Sequence, residues 1–148
     1  MMKVVLYVAV LLMLSPTAMA ERIVKDSPHS VADTVDRLVA VVEKAGARVF
    51  ARVDHAAGAK NIGDSLAPMQ MVMFGNPKLG TPALKASATM GLDLPLRVLV
   101  YADANSNVKV TYHDPAALAV AHGVGADHPV VKKMRGALNK LTDAAIAK

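Results

Sequence analysis

The sequence contains no cysteine and no tryptophan, and only three tyrosines and two phenylalanines among its 148 residues. Without cysteine, the chain has no disulfide bonds, no thiolate metal ligands and no cysteine nucleophile. Nucleic-acid binding domains usually combine a concentrated basic face with aromatic side chains on which bases stack. Here the formal net charge of +5 is spread along the chain and aromatic residues are scarce, so we expect no nucleic-acid partner.

Several catalytic motifs are also missing. The chain has no G-x-S-x-G sequence, which marks the nucleophile of many hydrolases. Gly75 and Gly80 have the spacing of a P-loop, but Thr81 stands where that motif needs lysine. No two histidines have the close spacing of a metal site on a helix. The five histidines are His29, His55, His113, His122 and His128.

The first 20 residues have the pattern of a secretory signal peptide. Lys3 precedes an uncharged apolar run from 4 to 14, and Ala18-Met19-Ala20 provides the small residues of a cleavage site. We therefore predict cleavage after Ala20 and a periplasmic or secreted mature protein. The alternative is an uncleaved membrane anchor, although a span needs about 20 apolar residues. No stable membrane span is expected after cleavage.

The remaining residues, 21–148, predict a single domain with the element order β-α-β-β-α-β-β-α-α. Val31, Val35, Leu38 and Val42 recur at helical spacing, and a second apolar stripe runs over 131–145. This order indicates an α+β fold, with helices packed on a small mixed, mostly antiparallel sheet. The predicted strands are 21–26, 48–55, 69–74, 96–101 and 108–113. The predicted helices are 31–45, 82–90 and 116–122, followed by a last helix that carries the second stripe.

The most unusual stretch is 74–82, with the sequence FGNPKLGTP. Asn76-Pro77 and Thr81-Pro82 each combine a helix-capping residue with proline at the first helical position. One interpretation is a structural turn from a buried strand into a helix. The other is an anion site, in which free backbone N–H groups and a lysine hold the ligand. The candidate ligand-binding residues are Gly75, Asn76, Lys78, Gly80 and Thr81, with His55 and Tyr112 as possible neighbours.

A metal site assembled from separate segments is a second hypothesis. Asp54-His55 and His113-Asp114 each place a carboxylate beside an imidazole. The weak candidate ligands are His55, His113 and Asp114, and the common alternative is that such histidines are half-exposed residues at strand ends. The methionines are adaptable core residues in this interpretation, with Met69, Met71 and Met73 on one strand face.

Four segments together resemble a known family. They are VDHAAGA at 53–59, FGNPKLGTP at 74–82, DLPL at 93–96 and YHDP at 112–115. In this order they are similar to the DUF302 family, a bacterial and archaeal domain of unknown function, over about 27–123. The chain departs from the family pattern at His113, where asparagine is more usual, and at 105–107, where NSN replaces a turn of the Asp-Gly type.

The resemblance implies a compact α+β domain with helices on one face of a sheet, homodimer formation, and no established reaction. The leading hypothesis is thus a non-enzymatic periplasmic binding or accessory domain for a small anionic ligand or a partner protein. The alternatives are a small metal-dependent enzyme using His55, His113 and Asp114, and a structural homodimer module. No particular cofactor is predicted.

Overall fold

The structure is a computed structural model and describes residues 21–148. The predicted signal peptide, 1–20, lies outside the described residues. Within 21–148, none of the helices combines the length and the apolar character that a membrane crossing requires.

The chain alternates strands and helices in the predicted order, with one additional short helix and one 3-10 turn. The strands are β1 (Arg22–Ser27), β2 (Arg48–Asp54), β3 (Met69–Gly75), β4 (Leu96–Ala102) and β5 (Val108–His113). The helices are α1 (Val31–Lys44), α2 (His55–Asn61), α3 (Pro77–Ala86), α4 (Pro115–Ala121) and α5 (Pro129–Ile146), and the 3-10 turn is Ala88–Leu92.

The five strands form one sheet in the order β1-β5-β4-β3-β2, and each neighbouring pair is antiparallel. The first strand therefore lies at one edge beside the last, and the β4–β5 hairpin occupies the middle. This arrangement confirms the α+β class predicted from the sequence.

Helices α1 and α5 cover one face of the sheet. Ser30 begins α1, because its hydroxyl accepts a hydrogen bond from the backbone N–H of Asp33 at 3.1 Å. Both predicted apolar stripes face the core, with Leu38 of α1 and Leu138 of α5 among the largest fully buried side chains and Leu141 half-buried. They pack against the side chains that β3, β4 and β5 direct to the same face, and this cluster is the core.

On the opposite face, which we call the helix-free face because α1 and α5 do not cover it, four apolar residues and one threonine form a row across the five strands, which we call the apolar row. The strand registers place five residues side by side in this row: Val24, Thr111, Leu99, Met71 and Val53. Residues directly opposite on neighbouring strands share a face. None of the four apolar residues belongs to the core cluster or packs against it, whereas Thr111 is buried and donates a hydrogen bond to the Ile23 carbonyl at 2.9 Å. The Met69, Met71 and Met73 series therefore lies on this face, rather than filling the core.

The bounds predicted for the helix after β3, residues 82–90, were wrong. The helix begins at Pro77 rather than at Pro82, because Asn76 is the residue that caps it, and Pro82 lies inside the helix. Gly75 ends β3 and Gly80 lies within α3, and neither has a positive φ angle. Neither glycine therefore has a backbone angle that requires glycine.

Candidate functional site

An apolar cavity, which we call the main cavity, has a volume of about 400 Å³. It lies at the end of the sheet where β3 ends and β4 begins, between α3 and α5. Met134, Ala137, Leu138 and Leu141 of α5 form one wall, at the spacing of residues on a single helical face. Asn76 and Thr81 are the residues with polar side chains in a lining that is otherwise apolar or glycine.

Two exposed apolar side chains stand in the lining of the main cavity. Phe50 is 52% exposed and Leu84 is 42% exposed. Phe50 lies where the β2–β3 register shifts between Val49 and Ala51, as in a β-bulge. This irregularity explains why an aromatic residue interrupts the polar positions of β2, since a bulge redirects a side chain that regular alternation would place elsewhere. Arg48 lies over the Phe50 ring, 5.3 Å from its centre.

Asn76 fixes the loop that forms one side of the main cavity. Its side-chain oxygen accepts a hydrogen bond from the Lys78 N–H at 2.9 Å, and its side-chain nitrogen donates to the Gly46 carbonyl at 3.2 Å. The first bond begins α3, and the second ties this loop to the turn between α1 and β2. Asn76 therefore has a structural role in holding two sides of the cavity together.

The backbone N–H groups at the start of α3 are already used. Pro77 has none, and the N–H groups of Leu79 and Gly80 point to the Asn76 carbonyl at 2.9 and 2.8 Å. With the Lys78 N–H also bound to Asn76, the first turn keeps no free donor. The Lys78 side chain is exposed and does not line the cavity. These contacts remove the donors on which the anion interpretation of this loop depended.

The structure brings together four of the seven residues predicted to bind a ligand. Gly75, Asn76, Gly80 and Thr81 line the main cavity. His55 lies at the opposite end of the sheet, because Asp54 pairs with Gln70 whereas Gly75 pairs with Arg48. At about 3.4 Å per residue, five positions along β3 separate the two ends by about 17 Å.

Tyr112 lies at the same end of the sheet as the main cavity but lines a different space. This second space, which we call the minor cavity, has a volume of about 250 Å³ and also touches Ile23, Asp114 and Arg135. Its remaining α5 residues are Gly136 and Asn139, so that α5 separates the two cavities.

The three weak metal-ligand candidates do not converge. His55 is exposed at the far end of the sheet, and His113 is an exposed residue of β5. Asp114 is buried, and its Oδ1 atom lies 2.9 Å from the Nε atom of Arg135. Among residues 21–148 there is no group of three or more His, Asp or Glu residues placed to hold a metal ion.

A hydrogen-bonded cluster around His122, which the sequence did not reveal, joins the 3-10 turn to the end of α4. The Nε2 atom of His122 lies 2.7 Å from Asp93 Oδ2, and its Nδ1 atom lies 3.0 Å from Thr89 Oγ1. Arg97 also binds Asp93 at 2.9 Å. Because both ring nitrogens are engaged between two protein groups, the geometry indicates a structural brace. Asp93 and Thr89 precede His122 by 29 and 33 residues, so the local spacing of residues in the sequence did not indicate this cluster.

Replacing His122 by alanine is expected to lower the free energy of unfolding by about 1–3 kcal/mol, because it removes two hydrogen bonds, one of them to the Asp93 carboxylate. Urea denaturation measures this value. His55→Ala is the matched control, since that side chain is exposed, and a change within about 0.5 kcal/mol is expected there. Equal effects of the two substitutions would contradict the bracing role.

Shifted pKa values occur in the β4–β5 hairpin, at the opposite end of the sheet from both cavities. The backbone N–H of Asn107 donates to Asp103 and lowers the pKa of that carboxyl. A hydrogen bond to Asp26 raises the pKa of Lys109. Two carboxylates thus share one lysine at this end of the helix-free face.

The fold and its cavities define a small α+β domain with an apolar, ligand-sized pocket and no catalytic cluster along its lining. The sequence profile described as "Domain of unknown function DUF302" matches residues 23–144. The chain belongs to this family, which confirms the resemblance seen in its motifs. A "Crystal structure of uncharacterized conserved protein DUF302 from Bacillus stearothermophilus" has the same fold, with a TM-score of 0.68 at 20% identity over 84% of this chain and 94% of that one.

Longer proteins contain a similar stretch. The chain is 44% identical over 108 residues to "Fluoride-specific ion channel FluC 1" of Brucella suis biovar 1 (strain 1330), which covers 73% of this chain and 42% of that protein. "Fluoride-specific ion channel FluC 2" of Brucella melitensis biotype 1 has the same identity, with 40% of its length covered. The chain spans about two fifths of the length of these relatives, so the activity in their names belongs to proteins that it matches only in part.

Proposed function

We propose that the domain is a non-catalytic binding module that holds a small, uncharged and mostly apolar molecule in the main cavity. The observation that carries this proposal is the composition of the lining, in which the only polar side chains are those of Asn76 and Thr81. Small-molecule sites are typically concave, mostly apolar and between about 300 and 1,000 Å³ in volume. The main cavity, at about 400 Å³, falls within this range.

Burial of apolar surface supplies the binding energy in this proposal. Phe50 and Leu84 expose apolar surface at the cavity, and covering such surface stabilises a complex by roughly 25 cal/mol per Å². A charged ligand would have to leave water without gaining a hydrogen-bond donor, since Asn76 uses the first donors of α3. The contacts therefore favour an uncharged ligand over the anion suggested by the sequence.

The proposal is tested by a fluorescence titration with N-phenyl-1-naphthylamine, an uncharged apolar dye. We expect a saturable increase in dye emission with one site per chain. Sodium phosphate and sodium acetate at the same concentrations should not displace the dye. Emission that rises without saturation, or dye that is displaced by either anion, would contradict an apolar site.

Export of the domain remains a proposal that rests on the sequence of residues 1–20. If the chain is exported and cut after Ala20, the protein recovered from the periplasm begins at Glu21, and N-terminal sequencing will detect that residue. Recovery of the uncut chain in the membrane fraction would support the anchor alternative.

Self-association is a second candidate function, supported by the helix-free face. We propose that a second copy of this chain covers it, related by a two-fold axis along the apolar row. Such an axis places each residue of the row opposite its own copy, with Met71 facing Met71 and Leu99 facing Leu99. The main cavity is built on the other face of the sheet and stays open in this arrangement.

Charges at the two ends of the helix-free face favour this orientation. Asp26 and Asp103 share Lys109 at one end, which leaves a net negative charge. Arg22 lies at the other end of β1, exposed and without an ion pair to the described residues. The two-fold axis reverses the strand direction, and so it places Arg22 of each copy near Asp26 of the other.

A further inference from the structure

The minor cavity contains a tyrosine hydroxyl that is available to a ligand. Tyr112 is 6% exposed, yet its hydroxyl makes no hydrogen bond to any of residues 21–148. In this part of the chain, each side-chain nitrogen or oxygen that is sealed from solvent has a hydrogen-bond partner. The hydroxyl must therefore reach open space, and the minor cavity is the space that Tyr112 lines. A nearly buried phenol usually has a partner.

Arg135 brings further hydrogen-bond donors to the same cavity. Its Nε atom lies 2.9 Å from Asp114 Oδ1, and Asp114 is itself buried and accepts a hydrogen bond from the Ala116 N–H at 2.9 Å. The guanidinium group thus forms an ion pair with an anchored carboxylate. The two terminal nitrogens of Arg135 make no hydrogen bond with the described residues, so their N–H groups remain available.

The other polar residues near the minor cavity are already engaged. Lys25 lies 5.9 Å from the centre of the Tyr112 ring, and its Nζ atom binds Asn139, Thr142 and Asp143. Asn139 also donates to Asp143. The free groups are therefore mainly donors, namely the Tyr112 hydroxyl and the terminal nitrogens of Arg135.

We propose that the minor cavity binds the carboxylate group of a small molecule. The terminal nitrogens of Arg135 match the geometry of a carboxylate, and the Tyr112 hydroxyl donates a third hydrogen bond. A volume of about 250 Å³ limits the ligand to a small acid. The positive net charge of the chain also attracts an anion. This inference is independent of the apolar ligand proposed above, because α5 separates the two cavities.

Isothermal titration calorimetry with sodium succinate, at constant ionic strength, tests the proposal on the full chain. Wild-type protein is expected to bind succinate saturably and to bind succinamide, its uncharged analogue, at least tenfold more weakly. Tyr112→Phe removes only the hydroxyl and should weaken succinate binding about tenfold, because a hydrogen bond to a charged group is lost. Arg135→Lys keeps the charge but removes the planar fork, and it should also weaken binding.

Two control variants make the result specific. Tyr101→Phe removes a tyrosine hydroxyl from the helix-free face and should leave succinate binding unchanged. Leu84→Glu alters the main cavity and should also leave it unchanged, which separates failure of one proposal from failure of the other. Absence of saturable succinate binding, equal affinity for succinamide, or wild-type affinity in Tyr112→Phe would each overturn the proposal.

Discussion

Replacing Leu84 by glutamate is expected to weaken binding of N-phenyl-1-naphthylamine at least about 30-fold. Leu84 lines the main cavity and is 42% exposed, so the carboxylate introduced by the substitution can reach water in the free protein. An apolar ligand that fills the cavity would remove that water from the charge. Burying a polar or charged group without a partner costs at least about 2 kcal/mol, which corresponds to about 30-fold in affinity.

Leu92→Glu is the matched control for this substitution. Leu92 is also an exposed leucine, at 80%, but it does not line the main cavity. Both variants add the same charge, and both are expected to change the free energy of unfolding by no more than about 0.5 kcal/mol. Equal dye affinity in the two variants would show that the dye binds elsewhere.

Replacing Met71 by glutamate is expected to raise the dissociation constant of the homodimer at least a hundredfold. Met71 is the β3 member of the apolar row, and the proposed two-fold axis places it against its own copy. One substitution therefore brings two like charges together at the centre of the interface. Like-charge contacts of this kind cost several kcal/mol. Light scattering over a range of protein concentrations measures the change.

Ile62→Glu serves as the control for the dimer. Ile62 is an apolar residue with 81% exposure that lies outside the five strands, so a charge there should leave the dimer intact. If the wild-type protein is a monomer at micromolar concentration, the pairing proposal is wrong. If Ile62→Glu dissociates the dimer while Met71→Glu does not, the interface lies elsewhere on the molecule.

Local sequence patterns predicted the fold because they record burial directly. The stripe of Val31, Val35, Leu38 and Val42 is buried as its helical spacing required. The start of α3 was less certain, because Asn76-Pro77 and Thr81-Pro82 are equally good caps in sequence. The side chain of Asn76 decides between them, since it bonds both to Lys78 and to the distant carbonyl of Gly46. A tertiary contact of this kind leaves no local pattern.

The candidate site was predicted only in part, for the same reason. The loop around Gly75 and Gly80 lines the main cavity, but much of the apolar lining comes from α5, more than 50 residues later. Tyr112 was grouped with this loop because both belong to the family motifs. The sheet order places Tyr112 on β5, separated from β3 by β4, and it therefore lines the minor cavity.

The central claim, that the main cavity is a binding site for an apolar molecule, is tested most directly by a ¹H–¹⁵N NMR titration. Protein labelled with ¹⁵N is titrated with N-phenyl-1-naphthylamine, and the amide shifts are followed to saturation. We predict that the largest shifts belong to Gly80, Leu84 and Ala137, which line the cavity from α3 and α5. Shifts centred on Met71 and Leu99 of the helix-free face, or no saturable shifts, would contradict the claim.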